Sequence, residues 1–305
     1  MNQNENYLKL KNIMKQILKL LSITLLLVMG TQTAYSQIAV RASIGRKEFV
    51  AYENVKIAVT MTNHAGRQID FVNKQGVPWI DLIVERTSGN PIHSVHNVHY
   101  KPTRLKTGET KTSNFSLNNK YDLSQPGNYV AYAVVRMPGQ RVQEGVRTRK
   151  VHFTVIRGNP LWKQKAGVPG APGDSREFRI LNVKTDEATQ LYVQVEDTKR
   201  KKMLATYTMG RNLSFRDFTA TLDNRNRMHV LFLTNPTIWS HTVVDAAGKT
   251  VRRNYHKKGP GGSIPKLITT GNGTVGVINS SFFDPEKESD IRSKLHNLSE
   301  LPIGL

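Results

Sequence analysis

Val55–Asn63 reads VKIAVTMTN, and the period of that stretch decides the fold. Val55, Ile57, Val59 and Met61 fall on one side of an extended chain, with Lys56, Ala58, Thr60 and Thr62 on the other. Apolar residues two apart, rich in β-branched types, describe a strand with one buried face; a helix needs them three and four apart. WIDLIVER (Trp79–Arg86) repeats the pattern with Ile80, Leu82 and Val84. NYVAYAVVR (Asn128–Arg136) and RKVHFTVI (Arg149–Ile156) read as further strands. Between them NHAGR, RTSGN, KTGET, SQPGN and MPGQR place glycine, asparagine or proline where the chain must turn. Residues 37–157 are therefore expected to form an all-β sandwich.

Upstream, Lys9, Lys11, Lys15 and Lys19 precede the apolar run LLSITLLLVMG (Leu20–Gly30), and TQTAYSQ follows. Ala34 and Ser36, two apart before Gln37, complete the pattern of a signal peptide over 1–36, cleaved near Ser36. Met14 is an alternative start that leaves KQILK as the charged segment. The run is shorter than the ~20 residues a spanning helix needs, so no retained membrane span is expected. The expected location is periplasmic or extracellular. With no cysteine in the chain, neither a disulfide nor a lipid-modified cysteine is available, and stability must come from packed cores.

The chain carries 44 basic and 23 acidic residues, a net charge of +21. Without residues 1–36 the balance is 40 to 22, or +18. Residues 37–165 hold 20 basic and 8 acidic residues, and 166–305 hold 20 and 14. Such a charge attracts polyanions such as nucleic acid, acidic polysaccharide, lipopolysaccharide or anionic membrane, without choosing among them.

GNPLWKQKAGVPGAPGDS (158–175), with three prolines and four glycines, reads as an interdomain linker, with Trp162 docking to fix its exit. Over 176–283 a second β-rich domain is expected. LYVQVED…KMLATY, HVLFLTN…WSHTVVD and GTVGVINSSFF each lead from a polar turn into an alternating strand, with Leu191, Val230 and Val275 39 and 45 residues apart. DPEKESDIRSKLHNLSELP predicts a helix over 284–305: Asp284 caps it, Pro285 opens it, and Ile291, Leu295 and Leu298 make one stripe.

Three stretches resemble known families. LKTGETKTSNFSLNNKYDLSQPGNYVAYAVV (Leu105–Val135) combines L-x-x-G-E-T with Y-D-L-S-x-P-G-x-Y and resembles the E–F corner of bacterial immunoglobulin-like sandwich domains. The resemblance implies that Tyr129 is a buried corner tyrosine bonded to upstream backbone, and that Trp79 is the buried strand-C tryptophan. Ala131 stands where antibody domains have their second cysteine, so the likeness is to the architecture alone. DNRNRMHVLFL…WSHTVVDAAGKTV resembles a β-propeller blade of exported bacterial proteins. Two and a half blades cannot close a ring, so an open blade-like stack or second sandwich is expected. TNPTIW (Thr234–Trp239) and GPGG (Gly259–Gly262) resemble two loops of chagasin-type cysteine-protease inhibitors, but the family's R-P-W or R-P-F loop is missing.

HSVHNVHY (His93–Tyr100) holds three of the nine histidines. Read as a strand, it places His93 and His99 on one face roughly 20 Å apart and His96 on the other. No single ion spans that set, so no metal site is expected here. H-E-x-x-H and G-x-S-x-G are absent, and DPEKESD lacks the glycine-centred calcium loop. GNGTVG and KKGPGGS do not open a helix after a strand and read as hairpin turns. In TKRKKM (Thr198–Met203), Lys199, Arg200, Lys201 and Lys202 form the candidate polyanion contact. No aromatic residues interleave with them, so nucleic acid is not specifically indicated. The reading is an exported, non-catalytic binding or assembly protein of the bacterial envelope, without a cofactor, that contacts a partner protein or anionic polymer. The alternatives are an enzyme whose acids are dispersed along the chain, or an inhibitor-like protein-ligand domain.

Overall fold

The structure, a computed structural model, describes residues 37–74, 76–138, 145–185, 188–213 and 215–289, together with Met14. The expected signal peptide and most of the expected C-terminal helix lie outside the described residues. The described chain is nearly all β, and no helix in it is long and apolar enough to cross a membrane.

The first half contains β1 (Ile38–Ile44), β2 (Glu48–Val50), β3 (Lys56–Asn63), β4 (Ile69–Phe71), β5 (Ile80–Arg86), β6 (Thr103–Leu105), β7 (Thr110–Ser116), β8 (Gly127–Val135), β9 (Val146–Arg147) and β10 (Val151–Ile156). One sheet runs β1-β3-β7; the other runs β2-β10-β8-β5 with β9 also on β8, and β4 pairs with β6. The period-two reading of β3 holds, since Ile57, Val59 and Met61 are fully buried. They share one core with Leu82 and Val84 of β5, Ala131 of β8 and Phe153 of β10, so the two sheets bury a common apolar layer. The Tyr129 ring stacks on Phe153 with centroids 5.4 Å apart, and its hydroxyl donates to the Gln125 carbonyl at 2.5 Å. Tyr129→Phe is expected to cost about 1 kcal/mol, measured by urea denaturation, because it removes that one bond and leaves the packing.

The second half opens with β11 (Asn159–Val168), β12 (Ala171–Lys184), β13 (Thr189–Asp197) and β14 (Lys202–Arg211), a four-stranded antiparallel meander. Segment 158–175 is thus not a linker: β11 and the start of β12 form a hairpin, paired from Asn159↔Asn182 to Val168↔Ala171. Gly170, at φ +77°, makes the turn. Pro160 sits on β11, an edge strand, where a missing N–H is tolerated. Trp162 and Ala166 pack against the core behind the meander.

Next come β15 (Thr219–Leu222), β16 (Met228–Asn235), β17 (Ile238–Val244), β18 (Thr250–Lys258), β19 (Lys266–Thr269), β20 (Val275–Ile278) and β21 (Ser280–Phe283). Their main sheet runs β15-β16-β17-β18-β21, and β19 and β20 form a separate hairpin. GTVGVINSSFF is therefore two strands, divided at Asn279, whose φ of +56° breaks the extended chain. Met228, Val230 and Phe232 face Phe178, Ile180, Val193 and Val195 of the meander, while Leu231, Leu233 and Trp239 face Leu267 and Val277 of the hairpin. Asp284 accepts from the Glu286 N–H at 3.1 Å and Pro285 opens the helical turn, as the capping pattern requires.

Residues 93–100 form no regular strand. Their ladder pairing is one bridge, Ser94↔Tyr121, with the Tyr100 carbonyl accepting from Asn73 Nδ2 at 3.1 Å, and His93, His96 and His99 are exposed. The strand reading fails here because Val95 and Val98 have no neighbouring strand to pair with along their length.

The two halves meet where Val50 and Ile156 pack against Leu181, Val183 and Tyr192. Arg46 joins them electrostatically, pairing with the buried Glu53 and donating to the Tyr192 hydroxyl at 2.7 Å. Gln194 Nε2 donates to the Ala51 carbonyl at 3.2 Å.

Candidate functional site

The turn that follows β2 is shaped from inside. The buried Glu53 carboxylate accepts from the Val50 N–H at 3.0 Å, while the Glu53 N–H donates to the Val50 carbonyl at 2.8 Å. This clamp holds Tyr52 at φ +69°, a conformation that a bulky L-residue rarely adopts. Burial raises the Glu53 carboxyl above its ordinary range, although the Val50 N–H and Arg46 oppose the shift.

The β13–β14 tip is organised by a second carboxylate. Asp197 Oδ1 accepts from the N–H groups of Lys199 and Arg200 at 3.1 and 3.0 Å, and Oδ2 meets Arg200 at 2.7 Å and Arg176 at 3.2 Å. Led by the Arg200 N–H, these contacts hold Asp197 below the usual carboxylate range. Lys199 pairs with Asp174 at 3.0 Å, so two of the four predicted polyanion contacts are neutralised within the tip. Lys201 and Lys202 have no ion-pair partner among the described residues. Lys201 sits at φ +49°.

These two turns face each other across a cleft of about 650 Å³. One wall is the unbroken run Lys201–Tyr207, and the other carries Tyr52, Val95, Asn118 and Tyr121–Leu123. Tyr52, Val95 and Leu204 remain 47%, 53% and 37% exposed there. Thr206 is buried, and its Oγ1 lacks a hydrogen-bond partner. Besides these two cleft residues, the non-glycine residues at positive φ among those described are Asn226 and Asn279, a residue type that tolerates it. Backbone strain at a bulky residue persists only where surrounding contacts enforce it, and such positions cluster at functional sites. Lys201 and Lys202 were legible from sequence as part of a basic run. Tyr52 and Val95 were not, because nothing along the chain links them to residue 204.

A second polar cluster lies in the interior. His229 on β16, His241 on β17 and His256 on β18 stand side by side on the face covered by the β19–β20 hairpin, and all three are buried. His229 Nε2 lies 3.2 Å from Asp223 Oδ2, and its Nδ1 lies 3.1 Å from His241 Nε2. The anionic Asp223 can only accept, so His229 donates from Nε2 and His241 donates into His229 Nδ1. His256 Nδ1 meets Ser280 Oγ at 3.0 Å, and its Nε2 is buried without a partner. Burial lowers all three histidines, His241 to about 3, so the row is neutral at pH 7. Burial would raise Asp223, but the Arg227 N–H and guanidinium, His229 and the Arg225 N–H outweigh it and hold the carboxyl low. No group of three metal-ligating side chains is positioned for an ion among the described residues. The sequence signal for the row was a histidine at a core position in each of three neighbouring strands, MHVLFL, WSHTVV and NYHKK.

No protein-family model matches the chain, and no curated protein matches it by sequence. Among solved structures, a β-glucosidase from Listeria innocua in complex with laminaribiose is similar over 40% of this chain and 16% of its own, at 16% identity and a TM-score of 0.27. A β-glucosidase from Erythrobacter marinus is similar over 39% and 15%, at 12% identity and 0.26. The sporulation control protein Spo0M from Bacillus subtilis is similar over 57% of this chain and 91% of its own, at 10% identity and 0.29. The chain spans about a sixth of the length of the two β-glucosidases. Overlays this loose carry no argument about fold or activity.

Proposed function

We propose that the chain is an exported, non-catalytic binding or assembly protein of the bacterial envelope that holds an anionic partner in the cleft between its halves. The observation that carries this reading is the cleft itself, with exposed Tyr52, Val95 and Leu204 beside the unpaired cations Lys201 and Lys202. The net charge of +18 beyond residue 36 gives the long-range attraction, and the cleft gives it a place to end. In this reading the first half is an immunoglobulin-like sandwich, supported by the Tyr129 bond to Gln125 and by the buried Trp79. The second half is an open pair of blade-like sheets, supported by the antiparallel meander and its facing sheet. Asp122 is the one carboxylate lining the cleft, and it accepts from the Ser124 N–H at 2.9 Å, which favours binding over acid–base chemistry there.

Retention on phosphocellulose across a salt gradient tests the reading. Lys201→Gln/Lys202→Gln is expected to elute at lower salt than Lys163→Gln/Lys165→Gln, which removes two exposed charges from β11. Lys199→Gln/Arg200→Gln should shift elution less, because those cations already have acidic partners. Equal shifts for all three pairs would mean that net charge alone binds the polymer.

A further inference from the structure

We propose that the cleft takes an extended peptide, added along β14 as a fifth strand of the meander, with an acidic side chain over Lys201 and Lys202. The inference rests on the anionic-partner reading above and names the partner's chemistry. β14 hydrogen-bonds to β13 on one side and ends the sheet on the other, and Lys201 with the first six residues of β14 lines the cleft. An open edge offers the backbone donors and acceptors that a strand recognises. Seven residues at about 3.3 Å each span roughly 23 Å, the length of a peptide of similar size.

The side chains argue against a sugar. Asn118 Oδ1 accepts from the Val55 N–H at 2.8 Å and its Nδ2 donates to the Glu53 carbonyl at 3.1 Å. Asn54 Oδ1 accepts from Ser116 Oγ, and Asp122 is occupied by Ser124. Asn118 is thus spent on its own loops, and Asn54 and Asp122 are each held through one oxygen, which leaves few polar groups for a glycan. What stays open is apolar surface at Tyr52, Val95 and Leu204 and two cations, with the unpartnered Thr206 hydroxyl buried in the wall behind them. A second copy of the chain is also disfavoured as occupant. Antiparallel pairing of two β14 edges sets Lys202 near Arg211, and parallel pairing sets lysine beside lysine.

The test pans a displayed library of random octapeptides against the protein and measures synthetic versions of the enriched peptides by fluorescence anisotropy. Enriched sequences should alternate apolar residues and carry Asp or Glu toward one end. N-methylation of alternate amides on one edge of the peptide should weaken binding at least tenfold, and on the other edge little. Leu204→Arg and Val95→Arg should abolish binding. Thr206→Val, which keeps the shape of the side chain, should weaken it severalfold with the circular dichroism spectrum unchanged. Failure to enrich any peptide sensitive to Leu204→Arg and Val95→Arg overturns the proposal, as does equal tolerance of methylation on both edges. If a heparin octasaccharide binds with that sensitivity and no peptide does, the strand proposal falls while the anionic-partner reading stands. If phosphocellulose retention ignores Lys201 and Lys202 as well, both fall.

Discussion

Acidifying the protein from pH 7.5 to pH 5.5 is expected to lower its unfolding free energy by about 1.4 kcal/mol through His241 alone. His229 and His256 act in the same direction. Burial, helped by the neighbouring His229, Arg252 and His256, lowers His241 from 6.5 to about 3. The native state therefore keeps this ring neutral across the whole interval. The unfolded chain takes up the proton as pH falls through 6.5, so it gains stability that the native state does not share. The contribution of His241 is complete above 6.5 and is lost progressively down to about 3. Glu53 opposes the trend, because its raised carboxyl accepts a proton in the native state first. Urea titrations at pH 7.5, 6.5 and 5.5, repeated on Glu53→Gln, separate the two. In His241→Phe the slope of stability against pH should fall by nearly one proton. An unchanged slope would show that the acid response arises elsewhere.

This row also marks a limit of reading along a chain. Period two was enough for β3, β5 and β10, because each is half-buried and its inward residues alternate, while β8, buried on both faces from Tyr129 to Val135, is legible as a short apolar run rich in valine and tyrosine. It failed for β11, whose residues are mostly exposed and whose pairing is carried by backbone bonds that leave no mark on composition. Prolines and glycines in 158–175 were read as breaks, yet Pro160 lies on an edge and Gly170 in a turn, the two places a hairpin accepts them. The histidines show the same contrast. HSVHNVHY drew notice by its spacing and lies exposed, whereas His229, His241 and His256 are 12 and 15 residues apart in the chain and adjacent through the sheet. The cleft is hidden further, since it joins Tyr52 and Val95 to a strand more than 100 residues away. Lateral neighbours are set by strand order, and strand order is not written in the period of any one strand.

Asp223→Ala is expected to be the most damaging single change proposed, costing about 3–5 kcal/mol in urea denaturation at pH 7.5. The carboxylate is buried in the β15–β16 turn and has several partners. Its Oδ1 accepts from the N–H groups of Arg225 and Arg227, both at 2.9 Å, and its Oδ2 meets Arg227 Nε at 2.7 Å and His229 Nε2 at 3.2 Å. Alanine leaves the turn amides without an acceptor and the guanidinium without its anion, and frees His229 from its fixed tautomer. Asp223→Asn should fall between wild type and alanine. Its oxygen can still serve the turn, but its amide adds a donor beside the donors of Arg227 and His229. Damage should spread to the β19–β20 hairpin, because the adjacent Asn224 donates from its N–H to Gly273 O at 2.8 Å and from Nδ2 to Asn272 O at 2.9 Å. Hydrogen exchange in Asp223→Ala should therefore accelerate first at residues 266–278, while β3 and β8 stay protected. Imidazole nitrogen shifts should show His229 leaving the Nε2–H form. If exchange rises equally in both halves, or the urea midpoint stays at the wild-type value, Asp223 does not anchor the row and its cover.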